Sequence, residues 1–297
     1  MTERIIDLAE QLARLCVRNQ CLVIEPPADE GERITVPLAE LAVLVISQPH
    51  VTITQATLAG LAQAGGIVIV CDERHMPVAM LLPLEAHFAQ AERFERQAQV
   101  PLPTRKRLWQ SLVRAKIRAQ ARLVTDLRGD DGGLGELAAR VRSGDPANVE
   151  AEASRRYWPL LFGPRFRRDR DQPDQNRLLN YGYAVLRAII ARAVCAGGLH
   201  PSLGLHHHNR YDAFRLADDL MEPFRPIVDR AVVRCCEERG PAAPLDKQAK
   251  AALVGALMGR FTIAGESRTL FDVAARIAAS LVAVYAGRRK TLALPEL

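Results

Sequence analysis

No two cysteines of this chain stand in a C-x-x-C pair, and the six present (Cys16, Cys21, Cys71, Cys195, Cys235, Cys236) suit neither a zinc ribbon nor a disulfide framework. They read as reduced, mostly buried small side chains. No apolar run reaches the roughly 18 residues that a membrane span needs. Glu40 breaks "ITVPLAELAVLVIS", and Arg187 and Arg192 break "YAVLRAIIARAVCAGGL". No basic-then-apolar leader opens the sequence and no internal repeat runs through it, so a cytosolic protein with no membrane partner is expected. The histidine triplet at 206–208 is internal and flanked by helical pattern, which excludes a tag remnant.

What is present is 297 residues of ordinary globular composition, 48% hydrophobic and 25% charged. That length suffices for one large or two ordinary domains. The formal charge of +6 is unevenly spread: residues 1–100 carry 7 Lys+Arg against 13 Asp+Glu, and residues 101–297 carry 33 against 21. A basic rear half points to a polyanionic partner.

The front half reads as β. "QCLVIE" (20–25), "RITVPL" (33–38), "LAVLVIS" (41–47), "VTIT" (51–54), "GIVIVCD" (66–72) and "PVAMLLPL" (77–84) are short, rich in Val, Ile and Leu, and bounded by turn residues. One helix is expected at 55–65. From about residue 86 the period is helical to the end. The predicted fold class is therefore α+β, with a small sandwich-like β domain over 1–88 and a larger all-α domain over 89–297. Helix 105–124 carries seven basic residues and no acidic one, and 165–176 reads as a mobile, charge-dense surface segment.

Two helices carry acids in suggestive places. Over 212–230, with Asp212 as N-cap, Asp218 and Asp219 lie one turn from Glu222, and Pro223 should bend the helix. Adjacent carboxylates without a cation repel, and a divalent ion would relieve them; a solvated acidic face is the plainer reading. In the helix capped by Asn148, Glu150 borders the apolar stripe of Ala153 and Tyr157, so it needs either an arginine or a metal. Glu150, one histidine of 206–208 and Glu222 would form a mixed oxygen–nitrogen set suited to Mg2+ or, given the imidazole, Mn2+, with zinc possible. Trp109, Tyr157 and Trp158 read as core.

"NVEAEASRRYWPLLFG" (148–163), "GLHPSLGLHHHN" (198–209) and "LADDLMEPFRPIVD" (216–229), in this order, resemble the CRISPR-associated protein 1 family, in a form similar to that of type II systems. The resemblance covers essentially the whole chain. It implies a prokaryotic, cytoplasmic DNA endonuclease and integrase that inserts spacers into the CRISPR array in antiviral defence, using Mg2+ or Mn2+. It implies Glu150, His207 and Glu222 as metal ligands and catalytic residues, with Asp219 as an auxiliary ligand or a group behind the ligands. The aspartate usual in the "GL-x-P" segment is His200 here. The implied partners are double-stranded DNA (prespacer and CRISPR repeat), a second copy of the chain in a homodimer formed through the β domain, and a dimer of CRISPR-associated protein 2. Arg105, Lys106, Arg107, Arg114, Lys116, Arg118, Arg165, Arg167 and Arg168 then become candidate phosphate contacts, together with "GRRK" (287–290). The competing expectations are a non-catalytic DNA-binding scaffold and an unrelated helical zinc hydrolase.

Overall fold

A computed structural model describes residues 3–9, 12–27, 31–83, 85–263 and 265–295. The chain divides into two compact units, residues 1–88 and 89–297.

The first unit contains β1 (Arg4–Leu8), β2 (Arg14–Arg18), β3 (Cys21–Glu25), β4 (Ile34–Pro37), β5 (Leu41–Ile46), β6 (Thr52–Ile53), α1 (Gln55–Gln63), β7 (Ile67–Cys71) and β8 (Pro77–Leu81). They form two four-stranded sheets, ordered β1-β5-β7-β8 and β4-β3-β2-β6. Strands β1, β5 and β7 run parallel and β8 closes that sheet antiparallel. Strand β5, "LAVLVI", is buried at its first five positions. Such a near-continuous apolar run belongs to a parallel strand covered on both faces. Leu15 and Leu22 from one sheet, Leu44 and Val68 from the other, and Leu61 of α1 share one core. The sandwich-like expectation holds. It lacked β1 and β2, because "RIIDL" and "RLCVR" are short and charged at their ends.

The second unit contains α2 (Gln90–Ala98), α3 (Leu102–Arg128), α4 (Leu134–Arg140), α5 (Val149–Phe162), α6 (Gln175–Ala196), α7 (Arg215–Met221), α8 (Arg225–Arg239), α9 (Lys247–Leu257), β9 (Arg260–Ile263), β10 (Glu266–Thr269) and α10 (Leu270–Tyr285). It is not purely helical: β9 and β10 pair antiparallel. These four-residue strands are too short to show period-2 patterning against the flanking helices. Helix α6 is long and apolar enough to cross a membrane by composition, but most of it is buried against α7, α8, α9 and α10. Gly182 permits the close approach to α8, since a Cβ there would lie 2.4 Å from Val228 Cγ1. The segment expected to be mobile at 165–176 is tied down. Asn176 Oδ1 accepts from Arg168 Nη1 (2.8 Å) and Asp169 N (3.0 Å), and its Nδ2 donates to the Arg167 carbonyl (2.9 Å).

Candidate active site

The expected helix over 212–230 is two helices. Pro223 has no N–H to continue the α-helical ladder, so Glu222–Phe224 forms a 3-10 turn and α8 restarts at Arg225. Asp212 accepts from Phe214 N at 2.8 Å, but α7 begins only at Arg215. The acidic face is not solvated: Asp218, Asp219 and Glu222 are all buried. Each has its own positive or N–H partner. Arg187 of α6 grips Asp218 with two bonds, Nε to Oδ1 at 2.5 Å and Nη2 to Oδ2 at 2.8 Å. Burial still raises the Asp218 pKa against that pairing. Glu222 Oε1 accepts from Arg225 Nε at 2.9 Å, and its Oε2 lies 2.6 Å from Lys116 Nζ. Burial pushes the Glu222 carboxyl up, but Arg225 and Lys116 outweigh it and hold its pKa at about 2.

Glu150 opens helix α5. Asn148 sits at the N-cap position with a left-handed backbone (φ 51) and makes no side-chain cap bond. The cap comes from Asp145, whose two oxygens accept from Val149 N (3.0 Å) and Glu150 N (2.9 Å). Glu150 Oε1 then accepts from Lys116 Nζ at 2.6 Å. Lys116 therefore does not belong to an exposed basic face. It is buried, with the carboxylates of Glu150 and Glu222 each 2.6 Å from its ammonium. Burial lowers its pKa, but Glu222 and Glu150 raise it overall, so the side chain is charged.

The loop after α6 delivers the histidines. Gln97 of α2 holds its first half, donating to the His200 and Leu203 carbonyls at 2.9 Å and accepting from His200 N at 2.8 Å. Arg105 Nε reaches the Leu205 carbonyl at 3.3 Å. At Gly204 the loop crosses α7 so closely that a Cβ would lie 2.8 Å from Arg215 Cβ and 2.9 Å from Asp219 Oδ2. Asp219 is fully buried beneath it and accepts from Leu205 N (2.5 Å), His206 N (3.1 Å) and His207 N (3.3 Å). Its Oδ1 also lies 2.7 Å from His207 Nδ1. A carboxylate there fixes the proton on Nδ1 and leaves Nε2 as the free ligating or proton-accepting nitrogen. That hydrogen bond raises the His207 pKa. His206 stacks flat on buried Trp109, with ring centres 4.3 Å apart, and His208 is exposed. Trp109 meets His207 edge-on at 5.6 Å. Trp109 is thus core, as expected, and also the platform that sorts the triplet.

Among the described residues, no group of three or more His, Cys, Asp or Glu is gathered tightly enough to form a metal cage. The donor chemistry nevertheless fits a divalent ion. Glu150 and Glu222 converge on one positive charge, and the charge of Glu222 is among the causes that raise the pKa of His207. Buried Glu222 Oε2 has an ammonium beside it but no aligned hydrogen bond. Asp219 has its oxygens committed to the loop, so it lies behind His207.

Residues 7–244 match the family described as CRISPR associated protein Cas1. The chain belongs to the Cas1 family. The CRISPR-associated endonuclease Cas1 of Neisseria meningitidis serogroup C is 36% identical over 98% of this chain and 95% of its own length. Two solved structures share the Cas1-like fold at 18% identity. A casposase bound to an integration product has a TM-score of 0.80, covering 98% of this chain and 92% of that one. A Cas6-RT-Cas1–Cas2 complex has a TM-score of 0.75, covering all of this chain and 36% of that one.

The remaining basic candidates of this Cas1-family chain fall into three groups. Arg107, Arg114, Arg118 and Arg122 of α3 line a groove of about 780 Å³ with Lys290 of the C-terminal segment. Lys106 is exposed beside Gly144, and Arg165 and Arg167 are exposed after α5. Arg168 turns inward instead: it bonds Asn176 and Asn180 and lies 5.6 Å from the Tyr183 ring centre. Arg225 covers the same ring at 4.6 Å. Tyr183 and Tyr157 both donate to buried Asp229. Burial raises the Asp229 carboxyl to about 6, against the lowering effect of the two tyrosines. Burial also raises both tyrosines well above their ordinary range, so they remain donors. No spacing pattern announces this cluster, because Tyr157 and Tyr183 lie 72 and 46 residues from Asp229 along the chain.

Proposed function

We propose that this chain is a metal-dependent DNA endonuclease and integrase of CRISPR spacer acquisition. The observation that carries this is the convergence of Glu150 and Glu222 on one positive charge, beside a histidine oriented by Asp219. Glu150, His207 and Glu222 would hold Mg2+ or Mn2+. When bound, the ion would activate a DNA 3′-hydroxyl and stabilise charge on the phosphoryl oxygens. Arg225 keeps Glu222 ionised, and Asp219 keeps His207 Nε2 free to ligate or to take the hydroxyl proton. In the joining step the prespacer 3′-oxygen bonds to a repeat phosphorus while the bond to the repeat's own 3′-oxygen breaks. Water in place of the hydroxyl gives cleavage. The basic groove along α3 supports a double-stranded DNA partner through phosphate contacts. A homodimer built through the β unit, a Cas2 dimer as partner and action in the prokaryotic cytoplasm complete the reading. Family membership leaves the zinc-hydrolase alternative without ground.

The test is an integration assay with the chain, its Cas2 partner, short duplex DNA bearing free 3′-hydroxyls, and a repeat-bearing plasmid. Joining is expected with Mn2+ or Mg2+, none with EDTA, and none with His207→Ala. Salt-sensitive DNA binding without joining under either metal would replace this reading with that of a non-catalytic scaffold.

A further inference from the structure

Lys116 is the feature of the site that the proposed chemistry does not use. Its ammonium is 2.6 Å from Glu150 Oε1 and 2.6 Å from Glu222 Oε2, and its side chain is only 10% exposed. Two carboxylates this close to one ammonium, Glu222 buried and Glu150 half-buried, are stabilised by a positive charge between them. Glu222 has a second cation, but Arg225 is pinned, packed over the Tyr183 ring at 4.6 Å. Among the described residues, Lys116 is the one cation touching both glutamates. Its flexible four-carbon stem lets it leave without moving helix α3.

We propose that Lys116 is a resident counter-cation that competes with the divalent ion for Glu150 and Glu222. In the metal-free protein it holds the two carboxylates together and keeps the site from repelling itself open. Metal loading requires its ammonium to withdraw from at least one of them. Lys116 thereby sets metal affinity: it makes the site stable when empty and weakens binding by the strength of the two contacts given up. The inference rests on Glu150 and Glu222 being metal ligands.

The experiment compares wild type with Lys116→Met, which keeps the aliphatic stem and removes the charge. Mn2+ affinity is measured by titration calorimetry, and thermal midpoints are measured in EDTA and in saturating Mn2+. The expected result has two parts. Lys116→Met binds Mn2+ at least about tenfold more tightly, as coupled groups in direct contact do. Its midpoint falls in EDTA and rises with Mn2+ by more than the wild-type midpoint does. Equal or weaker Mn2+ binding by the variant overturns the competition while leaving the metal site standing. No Mn2+ binding by either protein overturns both. If the variant does not fold, anomalous diffraction from Mn2+-loaded wild-type crystals decides. An ion on Glu150 and Glu222 with Nζ beyond about 3.5 Å of one of them supports the proposal. An ion elsewhere, with Nζ still bridging both, rejects it.

Discussion

Asp219 holds His207 by both backbone and ring: its Oδ1 accepts from the His207 main-chain N at 3.3 Å and lies 2.7 Å from the ring Nδ1. The same carboxylate carries Leu205 N and His206 N. Asp219→Ala leaves several N–H groups without a partner, at about 1–3 kcal/mol for each one that stays buried. The expected outcome is a clearly lower unfolding midpoint and loss of DNA joining. Asp219→Asn, which keeps one accepting oxygen, should fold better and reduce Mn2+ affinity about 10- to 100-fold, as loss of a carboxylate behind a ligating histidine does. Calorimetric titration of the folded variant checks this; unchanged affinity would separate His207 from the metal.

Asp145 places Glu150 by capping the helix that carries it. Asp145→Ala should cost about 1–2 kcal/mol of stability and let the first turn of α5 fray, with Glu150 in it. Urea unfolding measures the first effect, and amide exchange at Val149 and Glu150 measures the second. Asn148→Ala should cost less, because Asn148 makes no cap bond and contributes chiefly its tolerance of a left-handed backbone.

Asp229 gives the stability a pH dependence of its own. Its carboxyl is raised from 3.8 to about 6 in the folded state, so the folded protein binds that proton more tightly than the unfolded chain does. The stabilisation is fully present below the ordinary aspartate range and is lost as pH rises through about 6, amounting to roughly 3 kcal/mol at most. Asp229→Asn removes this component. The unfolding free energy of the variant relative to wild type should therefore improve between pH 4 and pH 7 in urea titrations. A difference that stays flat over that range would show that Asp229 is not raised.

The groove residues Arg118 and Lys290 are exposed. Replacing both by alanine should weaken duplex DNA binding and flatten the dependence of log affinity on log salt by about one per lost phosphate contact. Stability should change by no more than about 0.5 kcal/mol per surface substitution. Fluorescence anisotropy across a salt series, run in EDTA, isolates this from the metal site.

Much of this architecture is legible in the residues themselves. The apolar run of β5 announces a buried strand, and the apolar neighbours of Glu150 in α5 place it at the edge of a core. Pro223 breaks its helix as its chemistry requires. Lys116 is hidden by its company, one of seven basic residues between 105 and 122. The signal was its register: Trp109, Leu112, Val113, Lys116 and Gln120 recur at three- and four-residue steps and are all buried. Asp145 is masked by Asn148, which occupies the N-cap position although it makes no cap bond. The Asp229 cluster joins α5, α6 and α8, and only their packing brings its members together.

Helix α3 is also a partition. At 100° per residue, Arg107, Ser111, Arg114, Arg118 and Arg122 lie along one side, and Lys116 projects from the side opposite Arg107. An α-helix with its side chains is about 10–12 Å across. A phosphate resting in the groove would therefore be separated by the thickness of the rod from the carboxylates that Lys116 joins. Under the proposed function, a strand held there and a strand cut or joined at those carboxylates would be different stretches of nucleic acid, or one stretch that bends around an end of α3. The length of duplex a single copy could grip would then be set by the path around this helix as well as by the number of its positive charges.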